Sequence, residues 1–167
     1  MYNLYLLNKI YLKKNIINNN YNFKICNKFY HKLFFKFCIK LLINYKIIQL
    51  AKIIIFIFLN RYEKLVFLED CNKIISFCFL QKKQNKYSFM EKNDIMLGNI
   101  FCHEKFRKKK IAYEMCHFIL SNHINSYSNF FFLCDKKNLA SNKLALKCFF
   151  FLFKRLDKDY SFLNKNY

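Results

Sequence analysis

The sequence predicts an α/β (α+β) domain in which a central mixed sheet is flanked by helices. Three observations carry this. Short runs rich in β-branched and aromatic residues recur beyond residue 60: KLVFL (64–68), IISFCFL (74–80), IMLGNIFC (95–102) and FFFLC (130–134). Between the later runs, two stretches place apolar residues at helical spacing. And 54% of the 167 residues are apolar, enough to bury a core.

The composition limits what charge can mean. Lys, Asn, Ile, Phe and Tyr dominate, while Gly occurs once and Pro and Trp not at all. All five favoured residues have A/T-rich codons, so the net charge of +20 is partly coding bias rather than a signature of an acidic partner. Its distribution is more informative. Eleven Lys and Arg precede Glu63 with no acidic residue among them, whereas nineteen face all ten acidic residues from there on. The chain thus divides near residue 60 into a basic, acid-free N-terminal segment (1–60), expected to be helical and either membrane-associated or a divergent front of the domain, and a mixed-charge core (61–167).

Within the first segment, Lys24, Lys28, Lys32, Lys36 and Lys40 recur every four residues among aromatic residues, which as a helix would set a basic stripe beside an aromatic face. Such a helix suits either a membrane surface or partner, or packing as an amphipathic core element. Residues 41–59 raise the question of a membrane span. Thirteen Leu, Ile and Phe favour insertion, but Lys46 and Lys52 each cost about 2.5–3.5 kcal/mol near the centre of a bilayer, and the sum lies near zero. The opening MYNLYLLNKI is too short in apolar residues for a signal peptide and offers no small-residue cleavage site. The eight Cys show no two-residue pairing and no following paired His, so no metal is expected, and their apolar surroundings suit reduced, buried thiols. The expected compartment is the cytoplasm, with a membrane-associated or organellar location as the alternative.

In the core, the runs at 64–68 and 74–80 read as strands joined by the turn-like EDCNK, and QKKQNK (81–86) as an exposed hairpin loop. Gly98 inside the third strand marks a bulge or a close backbone approach. Ile111, Met115, Phe118, Ile119 and Leu120 give a helix over 111–123. After the strand at 130–134, Asn138 caps a helix reaching about Cys148, with Leu144, Ala145 and Cys148 toward the core. Strand-like residues follow at 149–153 and 160–163. The order β-β-β-α-β-α-β(β) gives helices covering a sheet.

The stretch FRKKKIAYE (106–114) lies between the third strand and the first of these helices. The N–H groups opening a helix are unpaired and carry partial positive charge, so they bind phosphate, and three lysines add attraction to a pyrophosphate.

RKKKIAYE (107–114) resembles the acyl-CoA loop of the GNAT N-acetyltransferases, which in the RimJ/RimL branch reads R-G-K-G-x-A-x-E. Arg107, Lys109, Ala112 and Glu114 match, and Lys108 and Lys110 stand where glycines are usual. Thirty-one residues after Arg107, NLASNKLALKCFF resembles that branch's N-x-x-S-x5-K-x-G-F through Asn138, Ser141, Lys147 and Phe150, with Phe149 in place of the glycine. The missing glycine is similar to the eukaryotic N-acetyltransferase-nine-like members. The two motifs cover about 95–155, in the expected order and at about the expected distance.

The resemblance implies a GNAT-like sheet and transfer of an acetyl group from acetyl-CoA to a primary amine, with a protein N-terminus as the expected acceptor. It implies that the strand Ile100, Phe101 and Cys102 pairs with the pantetheine arm. Backbone N–H groups of Lys108, Lys109, Lys110, Ile111 and Ala112 would cradle the pyrophosphate beside Arg107. Asn138 would hold the cofactor arm, and Ser141 is the candidate acid for the departing thiolate. The base is not identified; Glu104 is the nearest carboxylate before the loop, and a solvated loop acid is its plainer reading. The alternative is a degenerate GNAT-like fold acting as a membrane-associated or interaction module through residues 24–59. No RNA- or DNA-reading motif accompanies the charge, so nucleic acid is not an expected partner.

Overall fold

The computed structural model describes residues 1–9, 20–27, 37, 39, 63–84 and 87–157. Among these, the strands are β1 (Tyr2–Leu7), β2 (Lys24–Asn27), β3 (Lys64–Asp70), β4 (Lys73–Lys82), β5 (Ile95–Cys102), β6 (Phe130–Asp135) and β7 (Phe150–Leu156). The helices are α1 (Ile111–His123) and α2 (Leu139–Lys147), with a short 3-10 turn at Glu104–Phe106. One mixed sheet holds all seven strands in the order β2-β3-β4-β5-β6-β1-β7. It is the α/β arrangement the alternating strands and helices predict.

Two strands lie where helix was expected. β1 takes an interior place, antiparallel to both β6 and β7, and β2 pairs antiparallel with β3 from Lys24↔Phe67 to Asn27↔Lys64. The described front of the chain is therefore built into the same sheet as residues 64–156. Tyr2, Leu4, Tyr5 and Leu7 carry side chains that favour a pleated, half-buried surface, and Leu4 and Tyr5 are buried. Lys24, the first lysine of the supposed helical stripe, makes an ion pair from β2 to Glu69; the other four lie outside the described residues, as does the whole of 41–59. Among the described residues, no helix is long and apolar enough to cross a membrane.

The β3–β4 hairpin closes through Cys71 and Asn72, both with positive φ (44° and 63°), the backbone sense that matches strand twist in two-residue turns. Gln81 and Lys82, expected in an exposed loop, instead end β4, and Gln81 is only 3% exposed. The loop reading rested on local polarity, whereas a cross-strand neighbour on β5 holds Gln81 in the sheet.

Both helices cover one face. α1 buries Ile111, Met115, Cys116, Ile119 and Leu120 against it, with Phe118 partly covered. α2 contributes Ala145, followed by Cys148 at its C-cap, with Leu144 partly packed. The opposite face is closed by Leu4, Tyr87, Met90, Met96 and Phe131.

His117 on α1 is fully buried between Tyr113 and Phe149 (ring centroids 4.5 and 5.7 Å), and neither ring nitrogen has a hydrogen-bond partner. Burial therefore lowers its pKa. His123 moves the same way, through burial first and then Lys64, with Glu63 opposing. A depressed folded pKa means that the unfolded chain takes up the proton first. The stability these sites support is full above the unfolded value, about pH 6.5, and falls as pH drops below it. His117→Phe keeps the shape and removes the unpaired polar group. It is expected to stabilise the fold by about 1–3 kcal/mol at neutral pH and by more at pH 5; urea unfolding at the two pH values measures both.

Candidate functional site

The sheet opens where the parallel β5–β6 pair ends. β5 and β6 pair only from Ile95↔Phe130 to Leu97↔Phe132. Beyond this, β5 stays with β4, as in Phe77↔Phe101 and Ser76↔Cys102, while β6 stays with β1 as far as Asp135↔Tyr2. The divergence has a local cause. The β4–β5 register shifts between Phe77 and Phe79, opposite Gly98, and Asn99 next to it has φ 52°. An added residue on one strand of a pair bends that strand and sharpens its twist, turning β5 away from β6.

The gap holds a cavity of about 280 Å³. Gly98, Asn99 and Ile100 form one wall, Phe132–Asp135 the other, and Asn138 and Ser141 close it from the start of α2. Backbone edges that face each other without ladder pairs invite an extended, amide-bearing ligand.

Two groups line this gap without a sequence signal to mark them. The first is Asp135, whose Oδ1 accepts from Lys137 N at 2.8 Å and shapes the turn into α2. The second is Cys134, whose pKa is pushed up to about 11, by burial first and then by Asp135. On β5, burial also raises the Cys102 thiol, with Arg107 opposing. Both thiols are therefore protonated at neutral pH and poor nucleophiles.

Of the second motif, Asn138 caps the helix as its sequence position predicts, its Oδ1 accepting from Ser141 N at 3.1 Å. That use leaves the amide nitrogen as the donor available to a ligand. Ser141 is half-buried in the first turn of α2. Behind them lies Asn142, to which no motif pointed. Its Oδ1 accepts from Asn3 Nδ2 and from the Tyr5 hydroxyl, both at 2.7 Å. Its Nδ2 donates to the carbonyls of Asp135 (3.0 Å), Lys136 (3.4 Å) and Asn138 (2.7 Å).

The basic loop sits past the far end of β5. Arg107 Nε donates to the Cys102 carbonyl (3.3 Å), folding the chain back over the strand end. Lys110 is the N-cap of α1 and offers no side-chain cap, so the first N–H groups of α1, from Ile111 and Ala112 on, keep their open ends. Lys109 Nζ rests over the Phe106 ring at 5.2 Å, and the Lys109 carbonyl accepts from the Tyr21 hydroxyl at 3.2 Å. Glu114, the last residue of the loop motif, does not face the gap. It is buried, and its carboxylate accepts from Asn20 N (2.9 Å) and Nδ2 (3.2 Å), anchoring residues 20–21 beside the loop. Glu104 is exposed in the 3-10 turn and does not line the cavity.

Of the expected cofactor residues, the structure therefore brings Ile100, Asn138 and Ser141 together around the cavity. Phe101 and Cys102 continue the same strand beyond it, and 107–112 form the loop that follows. All three positions where the resemblance leads one to expect glycine adopt a backbone that favours glycine: Lys108 at φ 65°, Lys110 at 62° and Phe149 at 65°.

No family model and no curated protein sequence matches the chain. Solved structures do. A GNAT-family acetyltransferase from Colwellia psychrerythraea superposes with a TM-score of 0.62 at 13% identity, over 90% of this chain and 52% of that one. The chain thus spans about half the length of that protein. The aminoglycoside N-acetyltransferase AAC(6′)-Iy in complex with CoA gives 0.57 at 15% identity, over 84% and 98% of the two chains. A ribosomal-protein-alanine N-acetyltransferase from Brucella melitensis biovar Abortus 2308 gives 0.54 at 9%, over 84% and 96%. The likeness covers 84–90% of the chain, which has the fold of the GNAT acetyltransferases.

Proposed function

We propose that the protein is an acyl-CoA-dependent N-acetyltransferase that moves an acetyl group from acetyl-CoA to a primary amine, with a protein or peptide N-terminus as acceptor. The observation that carries this is the gap between β5 and β6, which runs toward a helix start whose N–H groups are open and ringed by Arg107, Lys108, Lys109 and Lys110. The gap suits an extended arm bearing amides, and the helix start suits its pyrophosphate. The residues fit acetyl-CoA as co-substrate: the edge of Ile100, Phe101 and Cys102 pairs with the arm, and Lys108–Lys110, Ile111 and Ala112 meet the phosphates with backbone N–H groups. Asn138 Nδ2 donates to the arm.

The acceptor amine attacks the thioester directly. The high pKa of Cys134 argues against an acyl-enzyme on that thiol, so the protein works mainly by holding both reactants in line. Ser141 hands its hydroxyl proton to the leaving thiolate. The two motifs favour the RimJ/RimL-like branch, and protein N-termini are the acceptor class on that reading. A cytoplasmic location suits the thiols, which are free among the described residues. Membrane association through residues 24–59 is the second reading, favoured by the lysines whose side chains crowd the loop where glycine would let phosphate approach.

The test is release of CoA thiol from acetyl-CoA in the presence of a peptide with a free N-terminus, the same peptide N-blocked with a free lysine, and an aminoglycoside. Thiol release with the first alone supports the proposal. Release with the aminoglycoside alone would move the acceptor class, and none with any amine would leave the membrane or interaction reading.

A further inference from the structure

Gln81 is a buried carboxamide at the inner end of the gap, with one of its two polar atoms unused. It lies on β4, and its side chain crosses to β5, over Gly98. A Cβ on Gly98 would stand 2.2 Å from Gln81 Nε2 and 2.9 Å from Cδ, so the chain's one glycine makes room for this carboxamide. Oε1 accepts from the Tyr87 hydroxyl at 3.2 Å, which fixes the group's rotation. Nε2 has no hydrogen-bond partner among the described residues. Gln81 and Gly98 both line the cavity, at the point where β5 parts from β6.

An amide nitrogen that opens on a cavity and has no protein acceptor is placed to donate to a ligand oxygen there. Which oxygen follows from the direction of the gap. The phosphate end of the proposed co-substrate lies at 108–112, beyond Cys102, and the arm runs back along Cys102, Phe101 and Ile100. Its reacting end then arrives at Asn99 and Gly98, beneath Gln81. Resting on the acetyltransferase reading, we propose that Gln81 Nε2 donates a hydrogen bond to the thioester carbonyl oxygen of acetyl-CoA and is a catalytic residue. As the amine nitrogen bonds to the carbonyl carbon, the C=O π pair moves onto that oxygen, where the Gln81 N–H stabilises it. The pair returns as the C–S bond breaks, the thiolate takes the Ser141 proton, the new amide nitrogen gives its extra proton to water, and Ser141 is reprotonated from solvent.

The experiment compares calorimetric affinities for acetyl-CoA and for S-ethyl-CoA, the thioether that lacks only the carbonyl oxygen, in wild type, Gln81→Met and Gly98→Ala. Methionine matches glutamine in length and has no N–H; the alanine Cβ displaces the carboxamide while residue 81 stays glutamine. Wild type is expected to prefer acetyl-CoA about fivefold, the value of one hydrogen bond. Both variants are expected to bind the two ligands alike; in Gly98→Ala, whose added Cβ enters the cavity wall, only the ratio of the two affinities is read. A preference retained in Gln81→Met, or an equal loss for both ligands, would overturn the role of Gln81 and leave the acetyltransferase reading standing. No binding of either ligand by folded wild type would overturn both.

Discussion

Replacing Asn142 with leucine is expected to lower the stability of the fold by about 2–3 kcal/mol, a large share of the roughly 5–15 kcal/mol a domain possesses. The side chain is a junction. It joins Asn3 and Tyr5 on β1 to three carbonyls of the turn between β6 and α2. Leucine takes the acceptor from Asn3 Nδ2 and the Tyr5 hydroxyl in a partly covered site, at about 1 kcal/mol each, whereas the three carbonyls are exposed, and those of Asp135 and Asn138 keep their bonds from Asn138 N and Asn142 N. Asn142→Asp is nearly as disruptive, since it replaces two N–H donors shared among three carbonyls with a carboxylate oxygen facing them. Because the same turn carries Asn138 and Ser141, loss of the junction also loosens one wall of the gap. Urea unfolding reads the first effect, and weaker acetyl-CoA binding at a temperature where the variant remains folded reads the second.

The paired substitution Lys108→Gly and Lys110→Gly is expected to act in the opposite sense, stabilising the protein by about 1–2 kcal/mol in total. Each lysine holds a left-handed backbone, φ 65° and 62°, which costs an L-residue about 1–2 kcal/mol; glycine removes that strain but gives back about 0.5–1 kcal/mol through the greater freedom of the unfolded chain. For the co-substrate the two effects separate by salt. Glycine opens the approach to the backbone N–H groups, while each lost charge weakens a long-range attraction that salt screens. Acetyl-CoA affinity is therefore expected to depend less on salt in the double variant and to equal or exceed wild type at moderate ionic strength. Phe149 is not a parallel case despite its φ of 65°, because its ring packs against His117 and its removal would open the core.

Those three residues also show how far the sequence could be read. The core elements were legible because each has a local signal: helical spacing over 111–123, the Asn138 cap, and β-branched and aromatic runs for β3 to β7. The loop before α1 was legible as a motif even without its glycines, since Arg107, Lys109, Ala112 and Glu114 remain in register. β1 and β2 were not. Their strand character depends on pairing with β6, β7 and β3, partners 37 or more residues away, and at Lys24 the every-fourth-residue spacing of lysine pointed to a helix where β2 begins. Gln81 and Asn142 were missed for a related reason. A carboxamide in a polar stretch reads as a loop, and only the sheet reveals that one crosses Gly98 and the other spans β1 and α2. Glu114 shows the converse: a residue that fits the motif serves to anchor Asn20 rather than to meet a ligand.

The central claim is that the gap between β5 and β6 and the open start of α1 together hold acetyl-CoA. Calorimetric titration of the purified protein with acetyl-CoA, at low and moderate salt and beside Lys110→Gly, tests it most directly. Micromolar binding at one site per chain, kept or tightened by the glycine, is the predicted result. A folded protein that binds acetyl-CoA in neither form would contradict the claim.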